Sequence, residues 1–207
     1  MDRRDFLKTV AVSGAAMTIQ RSEAMEILTQ AVNSTGKPDL VAVMGDEPEL
    51  MFQRAIAELG GMKQFVKSGQ KVVVKPNIGW DKVPELAGNT NPKLVAEIVK
   101  QCFAAGAKEV TVFDHTCDDW QKCYKNSGIK AAGAKVMPAH LESYYRPVDL
   151  SEGKNMKKAK IHEAILNCDV WINVPILKNH GGANLTIAMK NHMGIVWDRG
   201  YFHQNDL

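Results

Sequence analysis

Four valine-rich apolar runs constrain the fold of this chain most strongly, because they alternate with segments of helical spacing. These runs have the length and composition of buried strands, and they cover Leu40–Met44, Lys71–Lys75, Glu109–Phe113 and Cys168–Val174. Apolar runs without polar alternation are typical of a parallel sheet that is covered on both faces. The sequence therefore predicts an α/β fold with a mostly parallel sheet, helices on both faces and three layers.

The segments between these runs predict helices, and each carries apolar residues at helical spacing. They cover Glu49–Leu59, Pro92–Ala105, Asp118–Asn126, Ile161–Leu166 and Asn184–Asn191. The second has the clearest ends, with Asn91 as a cap, Pro92 at the first position and Gly106 after the last turn. A short strand is expected at Val136, and residues 147–160 are expected to form a loop or hairpin insertion within one domain.

The first 24 residues resemble a twin-arginine export signal. Arg3 and Arg4 precede Phe6-Leu7-Lys8, a weakly apolar run follows, and Ser22-Glu23-Ala24 offers a cleavage site. This pattern predicts a partnership with the twin-arginine export machinery, a periplasmic or other extracytoplasmic location, and one α/β domain over residues 25–207. An ordinary amphipathic helix is the alternative interpretation of the same segment.

Charge and cysteine spacing exclude several classes of function. The net charge is only +3, and no concentrated basic face indicates nucleic-acid binding. The four cysteines contain no CxxC pair, so the chain is not expected to hold an iron–sulfur cluster of its own. Cys117 and Cys123 could form a disulfide in an oxidising compartment.

Polar side chains follow each of the four predicted strands. Asp46 follows the first strand, and Lys75 and Asn77 lie at the end of the second. Asp114 follows the third strand, and a polar segment that contains Lys178 follows the fourth. The carboxyl ends of parallel strands meet at one edge, where ligands bind in open α/β sheets. Lys75 ends an apolar strand, so it needs an anion such as Asp114, Asp46 or a ligand.

The segment Leu177–Gly194 adds a dense group of lysine, histidine and amide side chains. A helix from Asn184 would place Thr186 and Lys190 on one face, and its N-terminus after Gly181-Gly182 would offer N–H groups to an anion. The alternative is a solvated helix with a basic face.

These patterns predict a site for a small anion, a carboxylate or phosphate, with lysine and histidine acid–base chemistry. The expected ligand-binding residues are Lys75, Asn77, Lys178, Thr186, Lys190 and Asn191. The expected catalytic residues are Asp114, His180 and His192, where a histidine transfers a proton and Asp114 orients it or acts as the partner base.

A metal site is the competing prediction. His115, Cys117 and Cys123 could bind a divalent metal, or His180, His192 and His203 could meet Asp114. Neither set has a recognised ligand spacing such as HExxH. Under this hypothesis, the protein is non-enzymatic and associated with a metal or with redox partners.

Three motifs resemble the family called domain of unknown function 362. They are VVVKPN at Val72–Asn77, VPILKNH at Val174–His180, and T-x-A-x-K-N-x-x-G at Thr186–Gly194, followed by Arg199 and His203. Members often carry a twin-arginine signal, and some carry a ferredoxin module, which implies an association with redox partners. The family domain usually continues past the position of His203. The resemblance therefore implies the front part of a longer domain, with an open sheet edge that a homodimer or partner chain could cover.

Overall fold

The computed structural model describes residues 38–131 and 133–201. In chain order, the strands are β1 (Lys71–Pro76), β2 (Glu109–Val112), β3 (Lys135–Val136), β4 (Tyr145–Asp149), β5 (Lys158–His162), β6 (Val170–Val174), β7 (Lys178–His180) and β8 (Asn184–Thr186). The helices are α1 (Pro48–Glu58), α2 (Pro92–Ala104), α3 (Trp120–Asn126), α4 (Glu163–Leu166) and α5 (Ala188–Asn191). Four strands form a parallel sheet in the order β3-β2-β1-β6. The predicted α/β fold is confirmed.

Helices α1, α2 and α3 cover one face of the sheet. They pack on a buried cluster that includes Val72 and Val74 of β1 and Val110 and Val112 of β2. Helix α2 has the predicted ends, because the Asn91 side chain accepts a hydrogen bond from the Lys93 N–H. It stops before Gly106, which has φ +105°.

The hairpin β4–β5 and short helices cover the opposite face. Val73 and Phe113 pack there against Tyr145 and Ala164, together with Ile195 and Val196 near the end of the described chain. The hairpin strands pair from Tyr145↔His162 to Asp149↔Lys158. This confirms the predicted insertion and supplies the third layer.

Three of the predicted elements were wrong in type or extent. Leu40–Met44 is not a strand: no strand of the described residues pairs with it, and Leu40 and Met44 are 78% and 97% exposed. Asp46 therefore does not end a strand at the sheet edge. Ile161 lies in β5 rather than in a helix, and α4 begins after His162, whose Nδ1 accepts from the Ala164 N–H.

The predicted helix Asn184–Asn191 was also wrong over its first half. Asn184 starts β8 with a φ of 56°, which a right-handed helix cannot contain. His180 Nδ1 accepts hydrogen bonds from the Gly182 and Ala183 N–H groups and fixes the β7–β8 turn. The helix N-terminus expected after Gly181-Gly182 does not exist, and α5 is only four residues long.

Two predictions fall outside the described residues. They are the export signal at residues 1–24 and any role of His203. Among the residues that are described, no helix has the length and apolar character needed to cross a membrane.

We expect a fully buried histidine to make the fold sensitive to acid. His162 has 0% exposure, stacks on Phe113 at 4.1 Å, and its Nε2 lies 3.0 Å from the Pro138 carbonyl oxygen. Burial lowers the pKa of His162, so the unfolded chain takes up a proton near pH 6.5 that the folded chain does not. We expect the free energy of unfolding to decrease as pH falls below about 6.5.

Urea unfolding between pH 7.5 and 5 measures this dependence. His162→Asn, which keeps a capping acceptor, should lower stability at pH 7.5 but reduce the pH slope by up to one proton. An unchanged slope in the variant would show that His162 does not cause the acid sensitivity.

Candidate functional site

The topology places a crevice at the carboxyl ends of β1 and β6. From β1 the chain moves to β2 and β3 on one side, and it later returns to place β6 on the other side of β1. The strand order therefore reverses between β1 and β6. In open α/β sheets, ligands bind outside the carboxyl ends of the strands at this kind of switch point.

A cavity of about 160 Å³ lies at this edge, and we call it the basic cleft. Eight of the nine residues predicted for ligand binding and catalysis line it: Lys75, Asn77, Asp114, Lys178, His180, Thr186, Lys190 and Asn191. The positively charged residues in the lining are Lys75, Lys178, Lys190 and Arg199, and the negatively charged residue is Asp114. Four cations thus face one carboxylate.

A buried ion pair forms the floor of the basic cleft. Lys75 Nζ lies 2.7 Å from Asp114 Oδ1, and the two side chains are 0% and 3% exposed. The second carboxylate oxygen accepts from the Ile78 N–H at 2.7 Å. Burial lowers the pKa of Lys75, and the attraction of Asp114 opposes that effect. Asp114 is the anion that the sequence required for Lys75.

Residues from the α5 region close over this pair. Asn191 Oδ1 accepts from Lys75 Nζ at 2.9 Å, and Asn191 Nδ2 donates to the Lys75 carbonyl oxygen at 3.1 Å. Gly194 lies so close that a Cβ on it would be 1.7 Å from Asp114 Oδ1 and 2.6 Å from Lys75 Nζ. The K-N-x-x-G motif therefore packs directly on the lysine of the KPN motif.

Two lysines on the wall of the basic cleft contact neutral atoms. Lys178 Nζ donates to Asn77 Oδ1 at 2.8 Å and to the Gly88 carbonyl oxygen at 2.6 Å. Lys190 Nζ lies 2.7 Å from the sulfur of Met193. Burial lowers the pKa of both amines. Neither forms a salt bridge with a carboxylate in the parts of the chain that are described.

Thr186 supports the wall that carries Lys178. Its hydroxyl lies within hydrogen-bonding distance of two carbonyl oxygens, that of Ile176 at 3.1 Å and that of Lys178 at 3.3 Å. Thr186 is paired with Lys178 across the β7–β8 hairpin. It shares the cleft with Lys190 through this hairpin, not through the helical face that the sequence predicted.

Arg199 ties the loop after β2 to the end of the described chain. It donates to the carbonyl oxygens of His115 and Thr116 at 2.9 and 3.0 Å, and its Nη1 lies 3.7 Å from Cys117 Sγ. His115 stacks on Trp197 at 5.2 Å with the rings almost parallel. Burial and the nearby Arg199 lower the pKa of His115. The ring is therefore neutral at pH 7.

The two histidines predicted to transfer protons lie in different places. His180 lines the basic cleft, and its Nδ1 is occupied as an acceptor, so a neutral ring carries its proton on Nε2. His192 is not among the lining residues. Its Nε2 lies 3.1 Å from Asn173 Nδ2, and its ring lies 4.8 Å from that of Trp171. His192 therefore lies beside the basic cleft and not in its lining, where burial, and then the charge of Lys75, lower its pKa.

The predicted metal ligands are not arranged as one set. His115 and Cys117 both line the basic cleft, but Cys123 is buried, with Sγ 3.9 Å from the Gly79 carbonyl oxygen. Burial raises the pKa of the Cys123 thiol to about 11, which disfavours the thiolate that metals bind. Cys117 and Cys123 are free thiols. Among the described residues, no group of three or more His, Cys, Asp or Glu side chains could hold a metal ion.

Sequence reasoning missed the site roles of three residues. Asn173 accepts from Asn191 Nδ2 at 2.7 Å through its Oδ1, and its position inside an apolar strand was the available signal. The roles of Gly194 and Arg199 depend on close approach between distant segments. Both belong to the motifs noted above, but their spacing alone does not reveal what they touch.

The chain belongs to the family called domain of unknown function 362, which matches residues 72–207. It is also 26% identical over 142 residues to the thylakoid-associated protein sll1697 of Synechocystis sp. (strain ATCC 27184 / PCC 6803 / Kazusa). That alignment covers 67% of this chain and 43% of the relative, so the chain spans less than half of that protein. No solved structure matches the chain significantly.

Proposed function

We propose that this member of the domain of unknown function 362 family binds a small anion, a carboxylate or a phosphate, in the basic cleft. The observation that carries the proposal is the environment of the Lys178 and Lys190 amines. Both are partly buried, both line the cleft, and their described contacts are with neutral atoms. A partly buried ammonium group without a carboxylate is stabilised by an anionic ligand.

The size of the basic cleft limits the ligand. Its volume of about 160 Å³ is smaller than the roughly 300–1,000 Å³ pockets that enclose drug-sized molecules. A phosphate ion or a short carboxylic acid fits this space. Lys178 and Lys190 bind the anion in this proposal, and the Lys75–Asp114 ion pair forms the floor of the cleft.

Acid–base chemistry is supported by the histidines that line the cleft. His115 Nδ1 lies 3.4 Å from the Val196 carbonyl oxygen, and a proton on Nδ1 leaves Nε2 as an acceptor. His180 has the opposite arrangement, with its proton on Nε2. One basic and one protonated ring nitrogen therefore belong to the same cleft, as proton transfer on a bound ligand requires. In this assignment His115 replaces His192.

Calorimetric titration with phosphate and with oxalate tests the binding proposal. Lys178→Met and Lys190→Met should each weaken binding by about tenfold or more, since a charge-assisted hydrogen bond contributes roughly 1.5–3 kcal/mol. Lys108→Met is the matched control, because Lys108 is exposed and is not a cleft residue. No heat of binding with either anion, or equal affinities in all variants, would reject the proposal.

The proposal includes an extracytoplasmic location. It is supported by the twin-arginine pattern at residues 1–24. The anion would then be one that occurs outside the cytoplasm.

A further inference from the structure

We propose that Cys117 is the nucleophile of the basic cleft, and that the ligand is a small anion with an electrophilic carbon. This inference rests on the proposed function and names the class of ligand that the site accepts. Its basis is a cluster of side chains: an exposed thiol among the cations that line the same cavity.

The loop after β2 holds the thiol within the basic cleft. The Cys117 N–H donates to the Gly79 carbonyl oxygen at 2.8 Å. Arg199 Nη1 lies 3.7 Å from Sγ and also donates to the carbonyl oxygen of His115, two residues earlier. The guanidinium group is thus fixed on the backbone that carries the thiol. The position of Sγ is set by these contacts and not by a disulfide.

The surrounding charges select the reagent that reaches the sulfur. Lys178 and Lys190 line the same cavity as Cys117. A cleft lined mainly by one sign of charge raises the local concentration of an oppositely charged ligand by about 10-fold to 1,000-fold. Lysine-bound carboxylates or phosphates are therefore presented to Cys117 in preference to neutral molecules of the same size.

The other three cysteines do not share this environment. Cys102 and Cys123 are buried, and burial raises the pKa of each to about 11. Cys168 is partly buried, and its Sγ lies 3.2 Å from the Ile165 carbonyl oxygen. None of the three lines the basic cleft. Selective reaction of an anionic reagent is expected at Cys117.

Alkylation by iodoacetate and iodoacetamide tests the inference, because these reagents have nearly the same size and differ in charge. In both reactions the Cys117 sulfur forms a bond to the CH₂ carbon, the carbon–iodine bond breaks, iodide leaves with the electron pair, and the thiol proton goes to solvent. Peptide mass spectrometry on the full-length protein at low ionic strength gives the two rate constants at Cys117. Their ratio, iodoacetate over iodoacetamide, is compared with the ratio for free 2-mercaptoethanol.

We expect the ratio at Cys117 to exceed the free-thiol ratio by about tenfold or more. The double variant Lys178→Met/Lys190→Met should bring it close to the free-thiol value, while Lys108→Met should leave it high. A ratio at Cys117 equal to that of the free thiol, or unchanged in the double variant, overturns the inference.

Titration of Cys117→Ser with phosphate and oxalate separates the two proposals. If Cys117→Ser still binds the anions, and the iodoacetate-to-iodoacetamide ratio at Cys117 of the unsubstituted protein equals that of the free thiol, the role of Cys117 as nucleophile is rejected. The anion site is then still supported. Absence of both binding and charge selectivity rejects both. Binding together with charge-selective alkylation supports both.

Discussion

Replacing Gly194 with alanine should destabilise the protein by about 3–5 kcal/mol, because a methyl group cannot fit beside the buried ion pair. The new Cβ would lie 1.7 Å from Asp114 Oδ1 and within 3 Å of Lys75 Nζ and Cε. Both partners are buried and hydrogen-bonded, so neither can move without losing contacts. The requirement is for space: Gly194 is not among the residues with positive φ.

Chemical denaturation of Gly194→Ala measures this loss. Gly181→Ala is the matched control, because a Cβ at Gly181 meets no atom within 4 Å, and its effect should stay within about 0.5 kcal/mol. Equal stabilities for the two variants would show that the region around Gly194 rearranges at little cost, and that the close approach is not essential.

Replacing Lys75 alone with methionine should lower the free energy of unfolding by about 3–5 kcal/mol, since it leaves a buried carboxylate without its partner. Lys75→Met keeps most of the side-chain volume but removes the amine that contacts Asp114, Asn191 and the Pro76 carbonyl oxygen. The double variant Lys75→Met/Asp114→Asn no longer buries an unpaired charge, and the amide oxygen that replaces the carboxylate can still accept from the Ile78 N–H. We expect its loss in free energy of unfolding to be at least about 2 kcal/mol smaller than the sum of the losses in the two single variants.

A surface ion pair supplies the control for this double-mutant cycle. Lys135 and Glu109 lie 3.2 Å apart with side chains 64% and 40% exposed, and Lys135→Met should change stability by less than about 1 kcal/mol. Additive effects at Lys75 and Asp114 would contradict the account, because they would mean that the pair does not act as a unit.

The sheet and the position of the basic cleft could be predicted from local patterns. Three valine-rich runs became β1, β2 and β6, since each combines high strand propensity with a parallel partner in the sheet. Leu40–Met44 has the same composition but lies outside the sheet, because strand formation also depends on a partner. Local composition cannot supply that information.

Inside the site, prediction worked for side chains at strand ends and failed where the backbone changes direction. Lys75 lies near the end of β1 and Asp114 lies just after the neighbouring parallel strand β2, so their meeting was predictable. The helix predicted from Asn184 was wrong because Asn184 adopts a left-handed conformation and starts a strand. His192 was predicted from the density of polar residues in Leu177–Gly194, which does not show which of them line the cleft. Gly194 approaches the ion pair from a distant part of the sequence, and no local pattern encodes that contact.

Diffraction from crystals containing selenate tests the existence of the anion site most directly, because selenium gives an anomalous signal that water does not. Selenate has the size and charge of a phosphate ion. The account predicts a selenium peak in the basic cleft, within hydrogen-bonding reach of the Lys178 and Lys190 amines, that disappears in the double variant Lys178→Met/Lys190→Met. Selenium peaks only elsewhere on the surface, with an empty cleft, would contradict it.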